Sequence, residues 1–393
     1  MATNRFEEMA MRERSFTWLK RPFVWVPALT ALLVTSAPAL GAAQRTFVAS
    51  YGLTANTAFN CSLAKPCRAF NEAIGVTSLG GEVVILDTAG YGPMTINQSI
   101  KIIGPSGVYG GISVTGGANP TTGIVINAGF SDVITLRGLD ISGVPGVAGP
   151  FPLVGIDIQK AGAVHIEKTS VSNFTQDASE CIRMSVTAPV SLFVVDSFLR
   201  ECATGVHIDG TTVGEARATI DNTHIEQGTN TQSGTAIVGV KATGNYMVNI
   251  RKSLISSGIV GVLASQTVDT DKPSVTIVDS QITLMANGAI KMGPGPGPAA
   301  AGLLRVNLQR STINESTAAV MNGYGTIRLT DNVFSNVSHL FVNCGSDQFW
   351  GPSFATNNTG VLLGSNFGID FLNGGAGLLG CSGYNSPGKI APF

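Results

Sequence analysis

Short runs of alternating apolar and polar residues recur along most of the chain, and one pattern occurs eight times. It reads apolar-x-apolar-x-x-small polar-x-apolar, with successive copies starting 21 to 31 residues apart. Thr, Ser or Asn fills the sixth position in seven of the eight copies. A repeat of this length indicates a solenoid. The copies are Ile134–Ile141, Val164–Val171, Leu192–Leu199, Ala218–Ile225, Val248–Ile255, Val275–Ile282, Val306–Ile313 and Ile327–Phe334.

Each copy predicts two short strands joined at a tight corner. In an apolar-x-apolar run the side chains alternate between two faces, so that one face is buried. The small polar side chain then points inward, beside turn backbone that it can satisfy. Three strands per coil predict a parallel β-helix, in which coils stacked about 4.8 Å apart share one core. The third strand precedes most copies, at Ile124–Ile126, Ile156–Ile158, Ile182–Met184, Val206–Ile208, Val238–Val240, Val260–Val262 and Ile290–Met292.

A leucine-rich repeat has a core of the same shape and is the competing interpretation. That fold requires a helical or 3₁₀ segment in the rest of each unit. Here the remainder is a strand with loops such as Gly143–Gly146 and Gly293–Pro298, whose Gly and Pro residues resist helix formation. The apolar positions also favour Ile and Val over Leu. Both features favour the β-helix.

The repeats resemble the right-handed parallel β-helix of the pectate-lyase-like superfamily, and so do the segments before them. Asn60–Ile74, Gly80–Ile85 and Ile100–Gly104 match the region where such proteins form a capping helix and their first coils. The resemblance implies a short amphipathic helix over Arg68–Ile74 that caps the N-terminal end. The predicted fold is therefore all-β, a right-handed parallel β-helix (solenoid) with a short N-terminal capping helix. This fold hosts lyases, hydrolases, epimerases, tailspikes and adhesins, so it does not specify a chemistry.

The beginning of the chain has the features of a secretory signal peptide. Pro22–Ala37 is apolar and uncharged, Lys20 and Arg21 precede it, and small residues follow it up to Ala43. We expect cleavage near Ala43, secretion to the periplasm or the extracellular space, and no transmembrane span in the mature chain. The predicted organisation is a signal peptide (1–43), an N-terminal cap (44–82), the parallel β-helix (83–345) and a C-terminal cap or tail (346–393).

Composition excludes two classes of protein. The 393 residues include 24 Lys plus Arg and 25 Asp plus Glu, a formal net charge of −1. No basic excess exists to neutralise phosphates, so nucleic acid is not an expected partner. A content of 44% hydrophobic and only 12% charged residues also excludes a disordered chain.

All six cysteines follow the predicted signal peptide. An even number in an exported chain indicates disulfides. Neither C-x-x-C nor H-x-x-x-H occurs, so no metal and no cofactor is expected. Six cysteines allow many connectivities. The spacing favours the hypothesis that the pairs are Cys61–Cys67, Cys181–Cys202 and Cys344–Cys381.

The catalytic motifs of the related enzymes are missing. Polygalacturonase-like hydrolases carry adjacent aspartates and Gly-His-Gly, and pectate-lyase-like enzymes carry W-x-D-H and R-x-P-x-x-R. The chain contains none of these motifs. Their absence favours a non-catalytic protein.

Charged residues recur just before the small polar position of the repeat. If the coils stack in register, these charged residues form a column of nearly alternating charge. At the position one residue earlier, Arg137 pairs with Glu167 and Asp221 pairs with Arg251 on the neighbouring coil. Opposite charges on neighbouring strands stabilise by up to about 1 kcal/mol. We interpret the column as a structural ladder. Its members are Gly138, Lys168, Asp196, Asn222, Lys252, Asp279, Arg310 and Asp331.

A second column predicts a functional face. Asp157, Arg183 and His207 fall on three successive coils, close to Glu180 in sequence. A carboxylate, a guanidinium and an imidazole side by side can bind a sugar acid or transfer a proton. In enzymes of the resembling family, this strand carries the substrate groove. The alternative is another salt-bridged ladder with a solvated imidazole. The predicted outward residues are Val125, Asp157, Arg183, His207, Gly239, Gly261 and Lys291.

Three classes of function remain open at this point. One is a self-associating surface protein whose open coil ends are covered by residues 346–393. Another is a non-catalytic extracellular scaffold or a glycan-binding surface protein, with Asp157, Arg183 and His207 as the candidate face for a polysaccharide or cell-surface glycan. The last is a divergent polysaccharide lyase or glycoside hydrolase that uses the same face on an acidic polysaccharide.

Overall fold

Three sets of strands wind around one axis, so that each coil has three sides. The structure, a computed structural model, describes residues 41–362 apart from 116–121, 145–150, 187, 211–214, 228–236, 269, 294–303, 323–324, 344–353 and 357–358. Most of the predicted signal peptide and tail lie outside these residues. We name the three sets of strands A, B and C in the order in which the chain passes through them.

The B-strands form one parallel sheet of 12 strands. Its register follows the repeat, since Val164 pairs with Ile134 on one side and Leu192 on the other. The B-strands are β1 (Ala43–Val48), β2 (Thr77–Ile85), β5 (Ile100–Ile103), β8 (Val133–Arg137), β11 (Ala163–Glu167), β14 (Val190–Val195), β17 (Ala216–Asp221), β20 (Tyr246–Arg251), β22 (Ser274–Val278), β24 (Arg305–Gln309), β26 (Thr326–Thr330) and β29 (Phe354–Thr356).

The A-strands and C-strands form the other two sides. They belong to one sheet of 18 strands because three long strands run from side C into side A. These are β21 (Leu254–Ser265), β23 (Gln281–Met292) and β25 (Thr312–Asn322). The remaining A-strands are β4 (Met94–Ile96), β7 (Thr122–Asn127), β10 (Val154–Lys160), β13 (Glu180–Ser185), β16 (Thr204–Gly210), β19 (Val238–Gly244) and β28 (His339–Asn343). The remaining C-strands are β3 (Ala89–Gly90), β6 (Gly110–Val114), β9 (Leu139–Gly143), β12 (Ser170–Phe174), β15 (Phe198–Cys202), β18 (His224–Glu226), β27 (Val333–Val337) and β30 (Thr359–Leu362).

The core is a stack of inward Ile, Val and Leu side chains from all three sides. Ile134, Ile156 and Ile182, for example, are fully buried. Burying a side chain of this size contributes about 1.5–3 kcal/mol relative to leaving it exposed. The described repeat units contain no helix, so the leucine-rich alternative is excluded. The protein is a right-handed parallel β-helix, as the repeat predicted.

Beneath the corner between sides B and C, hydroxyl groups link one coil to the next. The Ser253 hydroxyl donates to Arg251 O (2.8 Å) and accepts from the backbone N–H of Thr223 on the preceding coil (3.1 Å). Ser280 and Ser311 repeat the arrangement. Each small polar side chain therefore satisfies turn backbone inside the core, as predicted, and fixes the register of two coils.

At the same corner, the residue before the small polar position adopts a left-handed backbone conformation in all eight copies. The φ angles lie between 46° and 68°. Only the first copy uses glycine, Gly138; the other seven use Lys, Asp, Asn or Arg, although this region is unfavourable for residues with a Cβ. The corner is therefore a turn whose geometry repeats independently of the residue that occupies it.

The N-terminal end is closed by a helix and a disulfide-linked loop. Helix α1 (Phe70–Val76) buries Phe70 and Ile74, and Glu72 Oε2 accepts hydrogen bonds from the backbone N–H groups ahead of it. This helix is the predicted cap, starting two residues later. A 3₁₀ helix, Thr54–Phe59, precedes it. The loop pairs with the outer edge of β1 through Phe47, which protects an otherwise open sheet edge.

Two of the three predicted disulfides are present. Cys61 and Cys67 join within the N-terminal loop, with Cα atoms 4.9 Å apart. Cys181 and Cys202 join the start of β13 to the end of β15, with Cα atoms 5.6 Å apart. The predicted partners Cys344 and Cys381 lie outside the described residues. Within residues 41–362 as described, no helix is long and apolar enough to cross a membrane.

Candidate functional site

The outward residues of the A-strands form a column that includes the three predicted site residues. Asp157 pairs in register with Arg183, and Arg183 with His207. Neighbouring parallel strands lie about 4.8 Å apart, so the three side chains are adjacent. Val125 precedes them in the column. The structure thus brings together the three residues that the repeat selected.

Beyond His207 the column differs from the prediction. Lys241 and Leu263 occupy the positions that were predicted for Gly239 and Gly261. In β19 and β21 the outward residue lies two positions later than predicted. Lys291, which follows Leu263 in the column, is at its predicted position.

The error has a simple physical origin. Val238-Gly-Val240 and Val260-Gly-Val262 both satisfy an apolar-x-apolar pattern, as do the overlapping runs that end at Ala242 and Ala264. The glycines pack too tightly to be outward residues. A Cβ on Gly239 would lie 2.6 Å from Gly261 O. These glycines therefore lie in close contact with the backbone of the next coil, and the outward position falls two residues later.

Two carboxylates contact Arg183. Its Nε donates to Asp157 Oδ1 at 2.8 Å and lies 3.7 Å from Glu180 Oε2. Gln159 Nε2 donates to the other oxygen of Asp157 at 2.7 Å. The hydrogen bond that Arg183 donates to Asp157 raises the pKa of Arg183 above its ordinary value. Arg183 is therefore charged at every practical pH, and its orientation is fixed.

Glu180 also holds His207. The distance from His207 Nδ1 to Glu180 Oε1 is 2.5 Å. With Nδ1 engaged, Nε2 is the ring nitrogen that remains for a ligand. Glu180 Oε2 is buried and has no hydrogen-bond partner among the described residues. Glu180 therefore links the guanidinium and the imidazole into one unit, which we call the A-face cluster: Asp157, Glu180, Arg183 and His207.

The negative charges of the A-face cluster are buried and the positive charge is exposed. The side chains of Asp157 and Glu180 are 4% and 10% exposed, whereas that of Arg183 is 38% exposed. The carboxylates face the protein and the guanidinium faces solvent. A ligand that approaches this side of the sheet therefore meets the hydrogen-bond donors of Arg183, which the buried carboxylates hold in place.

An apolar edge borders the A-face cluster on the side of the C-to-A loop. Phe151 and Leu153 are 38% and 40% exposed. Leu153 O accepts a hydrogen bond from the backbone N–H of Glu180 at 2.7 Å, which fixes this edge beside the cluster. The loop before these residues is only partly described.

The charged column at the B-to-C corner has the predicted ladder geometry. Arg310 Nε lies 2.8 Å from Asp279 Oδ1, and the Asn222 amide donates to Asp196 at 2.7 Å. The adjacent position forms the predicted Arg137–Glu167 and Arg251–Asp221 ion pairs, at 2.5 and 2.9 Å. The arginines are exposed, the carboxylates of Glu167 and Asp221 are partly buried, and each side chain pairs with one neighbour. The predicted ladder is thus present as separate pairs between neighbouring coils.

Cofactor chemistry has no obvious location in the described part of the chain. No group of three or more His, Cys, Asp or Glu side chains there is arranged to hold a metal ion. The A-face cluster has two carboxylates and one imidazole, but Arg183 lies between Asp157 and Glu180.

The sequence pattern missed two residues of this face. Glu180 was noted only as a neighbour, because it stands at the start of its strand, where the outward alternation does not apply. Lys241 was missed through the two-residue register error. The signal that identifies Lys241 is the close packing of Gly239 against the next coil, which becomes visible only when the strands are aligned in space.

Neither a known protein family nor a curated protein matches the sequence. Solved structures similar to this chain include the pectate lyase Pel9A, with 10% identity, a TM-score of 0.47 and coverage of 80% of this chain and 76% of that one. A DFA-IIIase from Arthrobacter chlorophenolicus A6 has 13% identity and a TM-score of 0.41, covering 72% and 76%. A GH136 lacto-N-biosidase from Eubacterium ramulus has 11% identity and a TM-score of 0.35, covering 81% and 68%. At these identities the likeness concerns the fold alone.

Proposed function

We propose that the protein is an exported scaffold that binds a glycan chain along side A and does not cleave it. The observation that carries this proposal is the A-face cluster, in which two buried carboxylates hold one exposed guanidinium and one imidazole in fixed positions. A pre-oriented Arg donates hydrogen bonds to sugar oxygens without first losing side-chain freedom.

The burial of the carboxylates supports binding rather than hydrolysis. A glycosidase needs two carboxyl groups that reach the scissile bond from either side. Here both oxygens of Asp157 accept hydrogen bonds from Arg183 and Gln159, and Glu180 is directed to His207. Their role in this arrangement is to hold the groups above them.

Export is part of the proposal. The basic, apolar and small-residue order of positions 20–43 supports a cleaved signal peptide. The two disulfides support an oxidising compartment, since such bonds persist in secreted and periplasmic proteins. A polysaccharide or cell-surface glycan is a partner available in that compartment.

The second candidate is a polysaccharide lyase, and one contact favours it. The Glu180 carboxylate at His207 Nδ1 resembles the carboxylate that orients an imidazole base in other enzymes. In that role His207 Nε2 would remove a proton beside a uronate carboxylate bound by Arg183.

Incubation of the purified protein with polygalacturonate and with alginate separates the two candidates. We expect retention of the polysaccharide in affinity electrophoresis, with no unsaturated product and no new reducing ends. Arg183→Ala should weaken retention, and Lys252→Ala, at the B-to-C corner, should not. Turnover that His207→Ala abolishes would replace binding by lyase activity. Equal weakening by both variants would remove side A as the binding face.

A further inference from the structure

We propose that Lys241 is the residue that selects ligands with an anionic group. This inference rests on the proposed function, because it assigns the charged part of a glycan to one end of the same face. The geometry that points to it is the register of three basic side chains, Arg183, His207 and Lys241, on successive A-strands.

The charge of Arg183 is already compensated inside the protein. Asp157 and Glu180 both lie against its guanidinium. Two carboxylates therefore face one guanidinium. A ligand carboxylate placed over Arg183 alone would face a site with no positive excess, so Arg183 serves better as an oriented hydrogen-bond donor than as the anion-binding charge.

Lys241 is different because its charge is not compensated. Among the described residues it makes no ion pair and no side-chain hydrogen bond. The carboxylate at the next outward position of the neighbouring strand, Asp209, accepts a hydrogen bond from Thr243 at 3.4 Å. Lys241 is partly buried in the column rather than extended freely into solvent. It therefore offers an unpaired positive charge on the strand next to His207.

The column also sets the length of the site. Val125 precedes Asp157 and Leu263 follows Lys241, so an apolar residue ends the charged stretch on each side. Four strands about 4.8 Å apart span roughly 15 Å. The charge changes along this stretch from the carboxylate at Asp157 to the ammonium at Lys241. A short glycan segment would therefore bind in one direction, with its carboxylate or sulfate at the Lys241 end.

Binding measurements with a uronic-acid oligosaccharide and its carboxyl-reduced, neutral counterpart test this assignment. Wild-type protein should bind the acidic probe more tightly than the neutral one. Lys241→Ala should lose about tenfold in affinity for the acidic probe, the effect of one charge-assisted contact, and should bind the neutral probe as before. Lys241→Arg should keep the preference, and Lys252→Ala, the matched lysine at the corner, should change neither affinity.

The possible failures are distinct. If wild-type protein binds neither probe, the proposed function itself is overturned and this assignment with it. In a second outcome, wild-type protein binds both probes, and Lys241→Ala either weakens the binding of both equally or leaves both unchanged. A glycan then binds side A, but Lys241 does not select its charge. Unfolding curves for each variant identify any loss that reflects folding alone.

Discussion

The A-face cluster and the B-to-C corner are both columns of charged residues on the same solenoid, but they are constructed differently. At the corner, Arg310 and Asp279 are 50% and 42% exposed and pair one to one. In the A-face cluster, one guanidinium serves two carboxylates that are almost completely buried. Exposed pairs cost little to form and contribute little, whereas buried carboxylates require partners to offset desolvation. The comparison teaches that alternating charge along a coil does not by itself identify a site.

The register of the coils depends on the interior of the corner, not on its charges. Ser253→Val removes a buried hydroxyl that donates to Arg251 O and accepts from Thr223 N–H. We expect a loss of about 2–3 kcal/mol in the free energy of unfolding, because two buried backbone groups lose their partner. Thr219→Val, an outward position on the neighbouring B-strand, is the matched control and should change stability little. Equal effects in urea unfolding would contradict an internal hydroxyl ladder.

The A-face cluster should respond to loss of a carboxylate more than the corner does. Asp157→Ala removes the acceptor of Arg183 Nε and of Gln159. Because Arg183 is partly exposed and water can replace the lost contact, we expect a decrease of about 1–2 kcal/mol in the free energy of unfolding. Urea unfolding measures this, with Asp196→Ala at the corner as the control. A decrease no larger than that of the control would mean that the two columns are equivalent.

Most of the architecture could be predicted from the sequence, because alternation at period two is a local property. The B-strands and C-strands fall where the eight copies placed them, and Cys181 pairs with Cys202 as expected. The sequence could not set the register of β19 and β21, since their Gly-containing starts satisfy two overlapping patterns. Only the contacts between coils distinguish the two patterns, and for that reason the sequence did not predict Lys241 as an outward residue.

The contribution of the hydrogen-bonded carboxylate of Asp132 to the free energy of unfolding should depend on pH. Hydrogen bonds from the Ser99 hydroxyl and the Gly129 N–H lower the pKa of Asp132 in the A-to-B turn. Its folded-state pKa lies below the ordinary value near 4, so its stabilisation is present above about pH 4 and is lost as the pH falls through the folded-state pKa. Asp132→Asn should therefore cost about 1 kcal/mol at neutral pH, and less in acid. An equal cost in urea unfolding at about pH 7 and about pH 3 would contradict this.

The exposed ladder should give the smallest effect. Arg310 hydrogen-bonds Asp279 and lowers the pKa of that carboxyl, but both side chains are solvated. Arg310→Ala should leave the melting temperature unchanged within error, since water and salt screen such pairs. A clear decrease that high salt removes would show that the corner charges do stabilise the coils.

The central claim is that the A-face cluster binds a ligand and the ladder does not. The most direct measurement records two quantities, affinity for a uronic-acid oligosaccharide by titration calorimetry and free energy of unfolding, for Arg183→Ala and Arg251→Ala. We expect Arg183→Ala to lose at least about tenfold in affinity while remaining folded, and Arg251→Ala to bind like wild type. Loss of affinity by both variants in proportion to their loss of stability would contradict the claim.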